Sequence, residues 1–365
     1  MIKEAIGKLV LRESLTAKET EEVMKEITAK RATTAEIASF VTALRMKGET
    51  PEEITAAAKV IRGKASRING EGENVVSLDR EEITIERETI QDTAENLSKG
   101  TNIFNISTAT ALVVAGGGGK VVKYVKKPVF PLCGCADVIE ALGVNLDMTS
   151  TQLERCLRTL GICFLRDPLV QNGLEHIIDI RKKIGIRTLF NLLDPLINPA
   201  GAKIQVLGVY EAHLTETMAT VLRHLGIERG LVIYGEDTLD EISITGETKV
   251  TELKEGKVRS YLIKPEDFGM KRVRPDEIKG GTKEQNVEII LDVLKGSRGP
   301  KRDVTVLNAA AVFVIAGRAE GFNEGIELAN QSIDSGKALH TLKGLIRFTN
   351  SERRFLRSEY GMEMG

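Results

Sequence analysis

Three short stretches of the chain hold residue types that could do chemistry. The run Phe104-Asn105-Ile106-Ser107-Thr108-Ala109-Thr110-Ala111 is rich in hydroxyls and small side chains, and it stands where a strand pattern gives way to a helical one. Ser107 or Thr108 can cap that helix while the free backbone N–H groups of its first turn face an anion. The segment reads equally well as an N-cap and nothing more. The run Tyr234-Gly235-Glu236-Asp237-Thr238-Leu239-Asp240-Glu241 places four carboxylates within six residues, directly after an apolar strand. Ligands of open α/β sheets gather beyond the carboxyl ends of the strands. Hard oxygen donors suit Mg²⁺, which keeps several waters and bridges to a substrate's phosphates. A solvated acidic loop has the same composition. The third stretch, Ala115-Gly116-Gly117-Gly118-Gly119-Lys120, superficially suggests a phosphate loop. Its lysine is followed by Val121 rather than Ser or Thr, and it leads into a strand where a phosphate loop leads into a helix. These glycines read as a helix C-cap and a tight turn.

The elements that must position these residues follow from apolar spacing. Residues 1–68 are a run of short helices, with apolar positions at Ala5, Ile6, Leu9 and Val10, at Val23 and Ile27, and at Ile37, Phe40, Val41 and Leu44. Thr16 and Thr33 are each followed three residues on by Glu, the capping-box pattern, Gly48 ends a helix, and Pro51 opens the next. Residues 69–91 alternate partly at period two, which predicts two short strands or a hairpin. From residue 103 to about 317, apolar β-branched runs at 120–125, 205–210, 231–234 and 304–307 alternate with helical stretches. That order predicts a largely parallel sheet wrapped by helices. Residues 249–253 and 258–263 are expected as antiparallel edge strands, and the Arg-rich C-terminal stretch as a solvated helix that frays.

Composition narrows the function. In 365 residues, 51 Lys plus Arg balance 52 Asp plus Glu, so no overall field draws the protein to nucleic acid or an anionic membrane surface. No window approaches the ~20 apolar residues of a spanning helix, and the charged N-terminus is unlike a signal peptide, so a cytoplasmic location is expected. Cys133, Cys135, Cys156 and Cys163 lack the usual zinc spacing and read as structural thiols. His176 reads as a satisfied structural histidine.

Taken together, the motifs become specific. Phe104 to Thr108, Cys133-Gly-Cys-Ala-Asp-Val-Ile-Glu-Ala-Leu-Gly-Val-Asn-Leu146, Arg181 to Asn191, Pro195 to Ala200, Leu207-Gly-Val-Tyr210 and Leu239 to Ser243 closely resemble anthranilate phosphoribosyltransferase. Glu266 to Gly269, Lys279-Gly-Gly-Thr282, Leu307-Asn-Ala-Ala310 and Ile333-Asp-Ser-Gly336 continue the resemblance in the same order, over roughly residues 3–345. The resemblance implies a small N-terminal helical domain (1–68, joined by helices from about 168–198). It also implies a large α/β domain (69–345) whose central, mostly parallel sheet is of the nucleoside phosphorylase and phosphoribosyltransferase type, followed by a tail at 346–365. It further implies a homodimer and an Mg²⁺-dependent transfer of phosphoribose from phosphoribosyl pyrophosphate to an aromatic amine. By similarity Asn105, Ser107, Thr108 and Lys123 would contact the phosphates, Asp240 and Glu241 would bind the metal, and Arg181 would hold the acceptor's carboxylate.

The departures are equally plain. Where the family has a Gly-Thr-Gly-Gly-Asp-Gly loop, this chain has Asp92-Thr-Ala-Glu-Asn-Leu-Ser-Lys-Gly100, so only Gly100 and Thr101 keep any small-residue character. Glycines let backbone approach pyrophosphate, so Lys99 is expected to supply attraction by charge instead. On the acceptor side Lys123-Tyr-Val-Lys-Lys127 replaces Lys-His-Gly-Asn-Arg, Pro128 to Cys133 replaces a serine-rich loop, and Asp194 replaces a glycine. Val170-Gln-Asn172 replaces Tyr-His-Pro, and Arg166 replaces an apolar residue. These changes crowd and recharge the pocket, so the expected acceptor is an aromatic or heteroaromatic amine other than, or besides, anthranilate. Two rival readings stay open: a non-catalytic relative binding a nucleotide, polyphosphate or nucleic acid through Lys99, Lys120, Lys123, Lys126 and Lys127, and a phosphorylase.

Overall fold

The computed structural model describes residues 1–63, 75–80, 103–125, 134–166, 174–197, 202–236 and 239–360, the side chains of 79, 80, 166 and 352–360 excepted. The chain opens with four helices, α1 (Ile2–Val10), α2 (Ala17–Thr28), α3 (Thr34–Lys47) and α4 (Pro51–Arg62). Three of them start on a complete capping box: Thr16 with Glu19, Thr33 with Glu36, and Thr50 with Glu53. Each box satisfies two orphan N–H groups, and losing such a cap costs about 0.5–2 kcal/mol. Glu53 does more than cap. Its fully buried carboxylate also accepts the Leu15 N–H at 2.8 Å and pairs with Lys47 at 2.8 Å, so one side chain ties the α1–α2 turn to the head of α4. The four helices share one apolar core with α8 (Glu175–Ile184), α9 (Leu189–Leu193) and the sheet-facing side of α10 (Leu214–His224). His176 bridges within this unit, its Nε2 lying 3.2 Å from the Ile27 carbonyl oxygen.

The sheet has seven strands in the order β3-β2-β1-β4-β5-β6-β7. They are β1 (Val75–Arg80), β2 (Lys120–Val125), β3 (Ile162–Arg166), β4 (Ile204–Gly208), β5 (Arg229–Gly235), β6 (Thr248–Lys254) and β7 (Lys257–Ile263). The first five in spatial order are parallel, and β6 and β7 add an antiparallel edge. One of the short strands expected at 69–91 is present, Val75–Arg80, but not as a hairpin: it is the middle of the five parallel strands, with β2 and β4 on either side, and 69–74 and 81–91 lie outside the described residues. Alternation over a few residues cannot report which strand a segment will pair with.

A second correction concerns 304–307, expected as a strand and found inside α12 (Pro300–Ile315). Valines there sit on a helix buried on nearly every side, so no amphipathic period survives to distinguish it from a core strand. The same holds for α5 (Ile106–Gly116), buried from Ile106 to Ala115 and packed against α12, α13 (Phe322–Asp334) and α14 (Lys337–Tyr360). The glycine run after α5 is a C-cap and turn as expected, with Gly118 at φ 82°. The remaining helices are α6 (Cys135–Ala141), α7 (Ser150–Leu160) and α11 (Lys283–Leu294). The boundary expected after residue 345 falls inside α14, which is docked there: the Asn145 N–H donates to Thr349 Oγ1 at 3.1 Å, and Asn350 Nδ2 to the Gly143 carbonyl at 2.9 Å. Cys135, Cys156 and Cys163 are buried free thiols, and burial pushes Cys156 up to about 12 and Cys163 well above its ordinary range. Among the described residues no helix is long and apolar enough to cross a membrane.

Candidate active site

Asn105, Ser107, Thr108 and Glu241 meet at the N-terminus of α5. Asn105 is the N-cap, in place of the Ser107 or Thr108 expected, yet its side chain makes no capping bond and donates instead to the Cys135 Sγ at 3.3 Å. Ser107 and Thr108 therefore lie in the first helical turn, 4% and 0% exposed. Their hydroxyl oxygens have no hydrogen-bond partner among the described residues. Two buried, unsatisfied hydroxyls in the first turn of α5 can donate to an anion, since an unmade buried hydrogen bond costs about 1–3 kcal/mol.

Lys123 adds charge. It lies on β2, is 1% exposed, and makes no ion pair or hydrogen bond among the described residues. Alternation along the strand sends Lys123 and Tyr124 to opposite faces. A buried ammonium needs a counter-charge, and a phosphorylated ligand supplies one.

The acidic loop reaches the same place from β5. Glu241, 6% exposed, accepts the Ser107 N–H at 3.1 Å through Oε1, so a carboxylate already sits on the positive end of α5. Asp240, partly exposed, is pressed against the end of β4: a Cβ on Gly208 would overlap the Asp240 carbonyl oxygen, so only glycine admits the loop there. Asn308 of α12 fixes the loop from behind, accepting the Ile242 N–H at 3.0 Å and donating to the Ile242 carbonyl at 2.9 Å. Asn308 stands within the Leu307-Asn-Ala-Ala310 motif, whose spacing assigns it no role. Nothing in its local context marks a partner 66 residues away. Glu236 is exposed to solvent, and Asp237 lies outside the described residues. Among the described residues no group of three or more His, Cys, Asp or Glu could hold a metal by itself. Two carboxylates next to an anion-binding helix end do fit Mg²⁺, whose remaining ligands are waters and phosphate oxygens.

Arg181, near the end of α8, is gripped by Asp194 with two bonds, Nη1 to Oδ1 at 3.1 Å and Nη2 to Oδ2 at 2.9 Å. The backbone after Asp194 is held by three more side chains. Gln205 of β4 donates to the Pro195 carbonyl at 2.6 Å, Arg62 of α4 to that of Leu196, and Tyr124 of β2 to that of Ile197 at 3.1 Å. Lys99, Gly100 and Thr101, the loop from Asp92, Lys126 to Cys133 and Val170 to Asn172 lie outside the described residues. Burial of Lys123 removes it from any exposed basic patch of the kind the nucleic-acid reading needed.

Comparison with known proteins agrees with this architecture. The model of the glycosyl transferase family's helical bundle domain matches residues 3–65, and that of its a/b domain matches residues 87–339, so the fold is that of a two-domain glycosyl transferase. Anthranilate phosphoribosyltransferase of Geotalea uraniireducens is 47% identical over 350 residues, covering 96% of this chain and 100% of the relative. That of Geobacter sulfurreducens is 48% identical over the same length. The crystal structure of anthranilate phosphoribosyltransferase from Thermus thermophilus superposes with a TM-score of 0.84 at 34% identity, over 95% of this chain and 99% of that one. The chain belongs to the anthranilate phosphoribosyltransferase family. At 24% identity the Saccharomyces cerevisiae enzyme, solved with PRPP and Mg, shares the fold with a TM-score of 0.81. Neither the phosphorylase nor the non-catalytic reading is favoured by these likenesses.

Proposed function

We propose that the protein transfers the phosphoribosyl group of phosphoribosyl pyrophosphate to the nitrogen of an aromatic amine. The bond from the ribose anomeric carbon to pyrophosphate breaks with its electron pair leaving on oxygen, the amine nitrogen bonds to that carbon, and the amine gives up a proton. The observation that carries the reading is the pair of buried Ser107 and Thr108 hydroxyls, without partners among the described residues in the first turn of α5, together with the buried Lys123 of β2. Such groups, fixed before substrate arrives, stabilise phosphate charge without reorganising. Asn105 lines the same helix end. Lys99, Gly100 and Thr101 are proposed to complete the phosphate contacts, Lys99 by charge where the family uses glycine N–H groups. Asp240 and Glu241 would hold Mg²⁺, which when bound neutralises charge on the departing pyrophosphate. The chain needs no nucleophile of its own, because the amine attacks and the protein positions it. Arg181 is the proposed acceptor-side residue. The relatives carry anthranilate in their name.

A cytoplasmic homodimer is proposed alongside, supported by the apolar side chains left exposed on the helical domain, Val10 at 68%, Leu11 at 72% and Met46 at 72%. Calorimetry with phosphoribosyl pyrophosphate, with and without Mg²⁺, tests the central reading. Metal-dependent binding supports it, and absence of binding at millimolar ligand refutes it.

A further inference from the structure

The connection from β7 to α11 returns to the N-terminus of α5. Ile103 and Lys279 stand opposite each other in an antiparallel bridge, and the Phe104 N–H donates to the Ile278 carbonyl at 3.3 Å. That bond joins the flanking residues, so Ile103 and Lys279 are a non-hydrogen-bonded pair, with Cα atoms about 4.5 Å apart and side chains on one face. Phe104 turns the other way and is fully buried in the core. Gly280 presses on the same backbone: a Cβ there would lie 2.8 Å from both the N and the Cα of Phe104. Asn286 of α11 holds the next two carbonyls, donating to Gly281 at 2.9 Å and to Thr282 at 3.0 Å. Lys279 is thus fixed by its backbone to the two residues that lead into the Asn105 N-cap. Its side chain is exposed and has no ion pair among the described residues.

We propose that Lys279 is a further ligand-binding residue, whose ammonium reaches over the N-terminus of α5 and pairs with the solvent-facing oxygens of a diphosphate held there. This rests on the phosphoribosyl-transfer reading for the identity of the ligand, and not for the placement of the lysine. Two residues of chain span at most about 7 Å, so the Asn105 Cα lies within ~12 Å of the Lys279 Cα. The Ser107 and Thr108 hydroxyls are buried and meet the inner side of an anion, while Glu241, already on the Ser107 N–H, adds negative charge. A diphosphate therefore needs positive charge from the rim. A lysine supplies it as a point charge on a flexible stem, with no close approach of backbone. Being exposed, its ammonium stays hydrated until ligand arrives and needs no counter-charge in the apo-protein.

The test titrates the full-length protein by calorimetry with phosphoribosyl pyrophosphate and, separately, with inorganic pyrophosphate, each with Mg²⁺. Lys279→Ala should raise both Kd values about tenfold, the low end of what a hydrogen bond to a charged group contributes. Lys279→Glu should raise them further, and Lys279→Arg should stay close to wild type. Kd should climb less steeply with added salt in Lys279→Ala than in the wild type, because one screened charge pair is gone. Lys271→Glu makes the same charge change at another exposed lysine of this connection, and should leave both Kd values nearly unchanged. Exchange of exposed side chains leaves the fold intact, which the melting temperatures check. An unchanged Kd for pyrophosphate in Lys279→Glu overturns the proposal, and so does an equal loss in Lys271→Glu. A wild type that binds pyrophosphate but not phosphoribosyl pyrophosphate sinks the transfer reading alone, and the pyrophosphate titrations then decide Lys279. A wild type that binds neither overturns both.

Discussion

Replacing Lys123 by methionine should weaken substrate and strengthen the fold at once. Lys123 is 1% exposed and has no ion pair or hydrogen bond among the described residues, so without ligand its ammonium is a buried charge lacking its partner. Leaving a buried polar group unsatisfied costs about 1–3 kcal/mol, and more for a charge. Methionine fills a similar volume without that penalty. With unfolding entropy of ~2.1 cal/mol/K per residue, 365 residues give ~0.8 kcal/mol/K, so a gain of 1–3 kcal/mol raises Tm by about 1–4 °C. The ligand-bound state moves the other way. A hydrogen bond to a charged group contributes about 1.5–3 kcal/mol, so Kd for phosphoribosyl pyrophosphate with Mg²⁺ should rise by roughly 10- to 150-fold. Scanning calorimetry of the apo-protein and titration of the ligand read the two effects independently. A Lys123→Met variant that melts lower and still binds with wild-type affinity refutes the assignment, since that outcome belongs to a structural lysine.

Asp240→Asn and Glu241→Gln should each remove the Mg²⁺ dependence of ligand binding while leaving Tm nearly unchanged, and retained dependence in both would displace the metal from this loop. Asn308→Ala leaves the Ile242 N–H and carbonyl without their buried partner. It should cost roughly 2–4 kcal/mol in urea denaturation and weaken Mg²⁺-dependent binding through the displaced loop, although Asn308 itself touches no proposed ligand. The Lys8 ammonium, with the Thr16 N–H and hydroxyl, holds the Glu19 carboxyl down at about 2 from its usual 4.5. A depressed carboxyl contributes stability above its unfolded value and loses it as pH falls. The stability difference between wild type and Glu19→Gln should therefore be constant near neutrality, shrink below about pH 4.5 and close near pH 2, as chemical denaturation across that range would show.

Much of this protein is legible along the chain because its signals are local. Capping boxes at Thr16 and Thr33, the helix start at Pro51, the C-cap at Gly117 with the turn at Gly118, and the edge hairpin at 248–263 each depend on neighbours within a few residues, so spacing alone predicts them. The order of motifs from Phe104 to Ile333 likewise identifies the family, because a fold and its site residues are inherited together. What spacing cannot report is who meets whom across the fold. Val75–Arg80 is the middle of the five parallel strands because β2 and β4 close on it from either side, and 304–307 reads as a strand because α12 is buried nearly all round and shows no polar face. The carboxylate on the α5 N-terminus comes from Glu241, 134 residues from Ser107, and the loop that presents it is held by Asn308. Asp194 can be read in the sequence as a foreign charge. That it answers Arg181, with its backbone clamped by Gln205, Arg62 and Tyr124, was decided only when four distant elements converged, since electrostatic and hydrogen-bond partners are chosen by proximity in space and not by order in the chain.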